Sequence, residues 1–234
     1  MKRIPAFRTA AFLIAPFVLA CAGETAETGA MDGDAAPAAE AAAAPALPAE
    51  IEAAKQANEK YTDVAVALAE GYMEDPTGMC VMAAAVGAPA ELGGMGIHYV
   101  NLEYLGTTLP PGDGPPPAGF RLSGTDATID ANRPEVLVYE PTADGGRTLV
   151  ALEYLVFEKA WQEAGNTSPP TLAGQAFYAM RDDPATEMDE AHGFEPHYEL
   201  HVWTHRDNPS GLFSEWNPNI SCAHAAAAPG EMAH

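Results

Sequence analysis

Along this chain the spacing of apolar positions shifts from three-and-four to two. Between Pro48 and Gly71 the residues Ile51, Ala54, Ala57, Tyr61, Val64 and Leu68 recur at intervals of three and four. That spacing lays one apolar stripe along a helix. Pro48 suits a first turn, Glu50 and Glu52 sit where the helix dipole is positive, and Gly71 is a stop. Further on, GMGIHYVN (94–101), EVLVYEP (135–141), RTLVALEYLVF (147–157) and HYELHVWTH (197–205) are rich in β-branched and aromatic residues. They predict strands, in which successive side chains point to opposite faces. The second and third are joined by TADGG and predict a hairpin. In it Val136, Val138 and Glu140 share a face, as do Leu149, Ala151, Glu153 and Leu155.

The remaining segments supply connections. Residues 107–135 are too rich in Pro and Gly for regular structure and predict a long surface loop. FEKAWQEAG predicts a short helix, GQAFYAM a further strand, and RDDPATEMDEAHG an acidic loop. RDNPSGLFSEWNPNISC carries two Asn-Pro turns and is expected to fold back over the sheet. One helix followed by mainly antiparallel strands predicts an α+β fold, an N-terminal helix packed on an antiparallel sheet or partial barrel. No internal repeat is present.

The N-terminus changes the compartment. Lys2, Arg3 and Arg8 precede an apolar run, Ala10 to Ala20, of signal-peptide length and too short to span a bilayer. It ends in Val18-Leu19-Ala20-Cys21, which resembles the lipobox of bacterial lipoproteins. The resemblance implies removal of residues 1–20, lipidation of Cys21 and a lipid anchor in the cell envelope. Ala22 lacks the acid that marks inner-membrane retention, so an outer membrane is favoured where there is one. Residues 21–47, rich in Ala, Pro and acid, predict a flexible tether, and 224–234 a similar tail. A single domain of residues 48–223 is left between them. In an oxidising compartment Cys80 and Cys222 predict a disulfide.

The formal net charge is −22, and the leader takes three bases and no acid with it, leaving −25. A chain this acidic repels nucleic acid and anionic lipid head groups, and it attracts cations. No phosphate-binding loop frames Gly93, Gly94 and Gly96, no GxSxG elbow is present, and HExxH is absent.

The candidate chemistry lies in the strands. In HYELHVWTH the residues His197, Glu199, His201, Trp203 and His205 share one face. Successive histidines stand about 13 Å apart at strand rise, so one metal takes at most one of them. His201 is the central choice, and its partners must come from other strands. His98 and Glu153 complete a set of two imidazoles and a carboxylate, which can hold Zn, Cu, Fe, Mn or Ni and leave coordination positions open. Glu140, Glu199 and His197 stand in reserve. The same residues have plainer readings: a hydrogen-bonded strand histidine, a Glu paired with Arg147 or Arg206, and histidines exposed at strand ends. His224 and His234 lie in the tail. Tyr99, Tyr154, Trp203 and Trp216 either line a small-molecule pocket or fill the core.

Taken together, GMGIHYVN, EVLVYEP, LVALEY, LHVW and NPSGLFSEWNPNISC resemble a family of exported bacterial proteins over roughly residues 60–222. This chain departs from that pattern at Leu102, where the family has a proline. The resemblance implies that these segments belong to one domain, and it implies no activity. The expected role is binding, with a transition metal at His98, Glu153 and His201. A metal-free module for a small ligand or protein partner stands second, and a metal-dependent enzyme third.

Overall fold

In the computed structural model, described for residues 46–75, 79–107, 119–185, 191 and 193–225, the predicted N-terminal helix is interrupted. It forms α1 (Ala49–Asn58), a 3₁₀ segment (Glu59–Thr62) and α2 (Val64–Ala69). The break has a local cause. Asp63 is extended, and its carboxylate accepts from Ala65 N at 2.9 Å, capping a new helix. The interruption rotates the stripe. Ile51, Ala54, Asn58, Tyr61 and Ala67 are buried, whereas Ala57 and Leu68 face outward. Asn58 is accommodated by donating to Ala54 O.

Nine strands follow among the described residues: β1 (Tyr72–Glu74), β2 (Cys80–Met82), β3 (Gly94–Asn101), β4 (Val136–Pro141), β5 (Arg147–Phe157), β6 (Thr171–Leu172), β7 (Gln175–Ala176), β8 (Tyr178–Met180) and β9 (His197–Val202). Helix α3 (Glu158–Glu163) follows β5. Seven strands make one antiparallel sheet, ordered β1-β3-β4-β5-β9-β8, with β2 also paired to β3, while β6 and β7 form a separate ribbon. The sheet is open rather than a closed barrel, and the fold is α+β as the sequence predicts. The described part of the long loop, Gly119 to Glu135, carries no named strand or helix, also as predicted. No helix among the described residues is long and apolar enough to cross a membrane.

Both faces of the sheet are buried. One packs on the N-terminal helices through Tyr99, Leu137, Tyr139, Leu152, Tyr154 and Leu200. The other carries His98, Val138, Ala151, Glu153 and the odd residues of β9. The hairpin forms between β4 and β5 as predicted, but its register shifts beyond Val138: Val138 opposes Ala151 and Tyr139 opposes Leu149. Val150 is the extra residue of a bulge. Leu149 therefore joins the helix-side core and leaves the face of Ala151 and Glu153, contrary to simple alternation. Gly96 is needed beside this hairpin. Its φ is +119°, and a Cβ there would lie 2.7 Å from Tyr139 O.

Residues 207–222 fold back as expected. Gly94 bridges Asn217, and Cys80 and Cys222 are disulfide-bonded with Cα atoms 5.7 Å apart. The bond fastens this returning segment to β2. Cys21, the leader, the tether up to residue 45 and the tail from 226 lie outside the described residues.

Candidate metal centre

The register of three strand pairings assembles the site. Glu153 on β5 is directly opposite His201 on β9. Opposed side chains in an antiparallel pair stand on the same face and within reach of one another. His98 on β3 faces Val138, and Val138 faces Ala151, two residues from Glu153 and on the same face. Residues as far as 103 positions apart along the chain, His98 and His201, thus meet on one face of the sheet, on β3, β5 and β9.

The three side chains converge on one point. His98 Nε2 lies 3.4 Å from His201 Nε2 and 3.4 Å from Glu153 Oε2, and His201 Nε2 lies 3.5 Å from Glu153 Oε2. The three atoms form a nearly equilateral triangle. With bonds of about 2.1 Å, the edge of a regular tetrahedron is about 3.4 Å and that of an octahedron about 3.0 Å. The triangle therefore has the size of one tetrahedral face. Glu153 Oε2 is buried and accepts no hydrogen bond. A carboxylate oxygen held this way carries a large desolvation cost unless a cation or proton meets it. Burial, then the neighbouring Glu199 carboxylate, raises the Glu153 pKa well above the ordinary 4.5. His98, Glu153 and His201 can together hold a metal ion.

The arginines offered by sequence as partners for Glu153 are occupied elsewhere. Arg147 reaches Glu74 at 3.4 Å, and Arg206 pairs with Glu140. That pairing, with Ser221 N donating to Glu140 at 2.9 Å, takes Glu140 out of consideration as a ligand. Glu199 and His197 do belong to the site's surroundings. His197 is 1% exposed, against the expectation of an exposed strand end, because Phe157 and Phe194 pack around it. Its Nδ1 lies 3.0 Å from Glu195 O, and its Nε2 lies 3.2 Å from Glu199 Oε2. A carbonyl only accepts, so Nδ1 carries the hydrogen. The other oxygen, Glu199 Oε1, lies 3.9 Å from His201 Nδ1, beyond hydrogen-bond length but on the side where an orienting carboxylate belongs.

His205 is not part of this face. The strand ends at Val202, and His205 turns toward the helices, its Nε2 3.2 Å from Glu59. Among the four aromatics, Tyr99 and Tyr154 are core on the helix side. Trp203 is buried and stacks on His201 with ring centroids 6.2 Å apart. Trp216 lines a cavity of about 590 Å³, whose polar groups include His98, Glu153, His201, Glu199, His197 and Glu215. Its walls are mostly apolar, Val100, Val136, Leu155 and Phe194 among them, and no Lys or Arg lines it among the described residues. Glu215, missed by the sequence reading, is brought in by the folded-back segment. Burial, then the Glu199 charge, pushes its pKa up to about 7. Nothing in its local pattern marks it, since it sits in a Pro-rich coil.

No family model, curated protein or solved structure matches the chain.

Proposed function

We propose that this protein is a lipid-anchored binding protein of the bacterial cell envelope whose exported domain holds zinc through His98, Glu153 and His201. The observation that carries the reading is the triangle of ligand atoms, 3.4 to 3.5 Å on each edge, with its carboxylate oxygen buried and without a hydrogen bond. Three protein ligands on one face of a tetrahedron leave the fourth position to water or a ligand, the pattern of an open zinc site rather than a closed structural one. The Nε2 coordination leaves each Nδ1 for an outer partner, and Glu199 is placed for that role at His201. The anchor is supported by Val18-Leu19-Ala20-Cys21 following an apolar run, and the Cys80–Cys222 disulfide accords with an oxidising compartment.

The test is metal content after equilibration with zinc and removal of the excess. The wild-type chain is expected to retain one zinc per molecule. His201→Ala and Glu153→Gln each reduce retention by at least tenfold, while His205→Ala leaves it unchanged. Equal retention in all four proteins would refute the assignment. The cavity also favours a second reading, a metal-free module for a small ligand. That reading predicts no retained metal in any of them.

A further inference from the structure

The cavity over the triangle joins apolar walls to an unbalanced charge. Four carboxylates line it, Asp75, Glu153, Glu199 and Glu215, and no Lys or Arg does among the described residues. The bases closest along the chain to lining residues are engaged elsewhere: Arg181, next to Met180, pairs with Glu158, and Arg147 pairs with Glu74. These acids are not an ordinary solvated surface. Glu153 and Glu199 are 3% and 4% exposed, and Glu153 Oε2 accepts no hydrogen bond. A zinc ion on the triangle balances two of the four carboxylates and leaves two over. One proton held anywhere in the cluster still leaves the lining negative. A cleft of one sign with low-dielectric walls concentrates the opposite charge. Those walls begin beside the acids, because Leu155 on β5 is directly opposite Glu199 on β9, and Val100 on β3 is opposite Val136 on β4. Phe194 and Trp216 add aromatic rings of the kind that hold ammonium groups. The volume, about 590 Å³, is within the range that encloses a small organic molecule.

We propose that the cavity binds an apolar organic cation, an amine or quaternary ammonium carrying a hydrocarbon chain, with its charged head among Asp75, Glu199 and Glu215 and its chain against Val100, Val136 and Leu155. Each half of such a ligand answers one half of the site. The head supplies the positive charge that the lining lacks, and the chain removes apolar wall from water. An anion of the same length meets three carboxylates. An alcohol of the same length leaves them without a counter-charge, and a small cation leaves the walls wet. The preference goes beyond the zinc site and does not require it, since an empty triangle leaves Glu153 to add to the attraction.

The experiment is calorimetric titration of the zinc-equilibrated full chain at pH 8, where Glu215, its pKa raised by burial to about 7, is ionised. The probe is octyltrimethylammonium below its micelle concentration. Its nitrogen has no lone pair, so it cannot bind by ligating the metal. One molecule is expected to bind per chain, with octanol, octanoate and tetramethylammonium each at least tenfold weaker. Glu215→Gln is expected to weaken octyltrimethylammonium at least threefold and to narrow its margin over octanol. Ala85 lines the cavity from an exposed position away from the triangle, so Ala85→Trp fills the space without replacing a metal ligand. That variant is expected to keep its zinc and to lose at least tenfold in affinity for the probe. Octanol or octanoate binding as tightly as octyltrimethylammonium, or no binding of the probe, overturns the proposal, and zinc retained in the same samples leaves the metal site standing. Protein that binds the probe with this selectivity but retains no zinc supports the cation site and overturns the zinc reading alone.

Discussion

Glu153 shows what a single position can disclose and what it withholds. Its place in RTLVALEYLVF marks it as a carboxylate on an apolar face, and the structure shows a buried oxygen there without a hydrogen bond. Its opposition to His201 was not legible, because strand register is a property of two segments and alternation describes only one. His197, held in reserve for the site with an exposed strand end as its plainer reading, was left open for a similar reason. A strand-end histidine reads as exposed unless the residues that cover it are known, and Phe194 comes from a loop. A second buried carboxylate gives a prediction independent of the metal. Glu135 is 3% exposed, accepts from Leu155 N at 3.1 Å, and has its pKa pushed by burial from 4.5 up to about 8. Between those two values the folded chain keeps a proton that the unfolded chain has lost. Stability therefore falls as pH rises through that window, by about 5 kcal/mol over its full width. Glu135→Gln keeps the acceptor for Leu155 N and removes the ionisation. Thermal unfolding should show the wild type losing stability from pH 5 to pH 8 and the variant losing less, so that the variant is the more stable at pH 8. Parallel curves would show that Glu135 does not titrate in this way.

At the scale of elements, the strands and the hairpin were readable because alternation and β-rich composition are local properties. The bulge at Val150 and the break at Asp63 were not. Each shifts the periodicity by a residue in answer to packing from elsewhere in the chain. The returning segment 207–222 was foreseen as a cover, but not that it carries Glu215 and Trp216 to the cavity. That segment has few long-range backbone bonds to the sheet, chief among them the Gly94–Asn217 bridge, and the disulfide holds its end. Closing a loop of 142 residues constrains the unfolded chain by up to about 5 kcal/mol in the chain-entropy description. The double variant Cys80→Ala, Cys222→Ala should melt about 10 °C lower, given the few degrees per kcal/mol expected at this size. Peptide mapping without reductant should show the two cysteines linked in the wild type. Free thiols at both positions, or an unchanged melting temperature, would contradict this role.

For the molecule as a whole, an acidic chain carries an open α+β sheet with one helix layer on one face and a cavity on the other. The sequence disclosed the fold class and the three residues of the candidate centre, since strand periodicity placed each on a defined face. It could not disclose the cavity, which arises only when β2, the segment after it and the returning coil close over β3, β5 and β9. If Cys21 carries lipid, Cys21→Ser should leave the membrane fraction or accumulate unprocessed. A variant processed normally and still membrane-bound would remove the anchor from the account. Diffraction from zinc-soaked crystals, above and below the zinc absorption edge, tests whether His98, Glu153 and His201 bind a metal. One strong anomalous peak is expected about 2.1 Å from His98 Nε2, Glu153 Oε2 and His201 Nε2. A map with no peak among these three atoms, or with zinc seated only on other carboxylates, would contradict it.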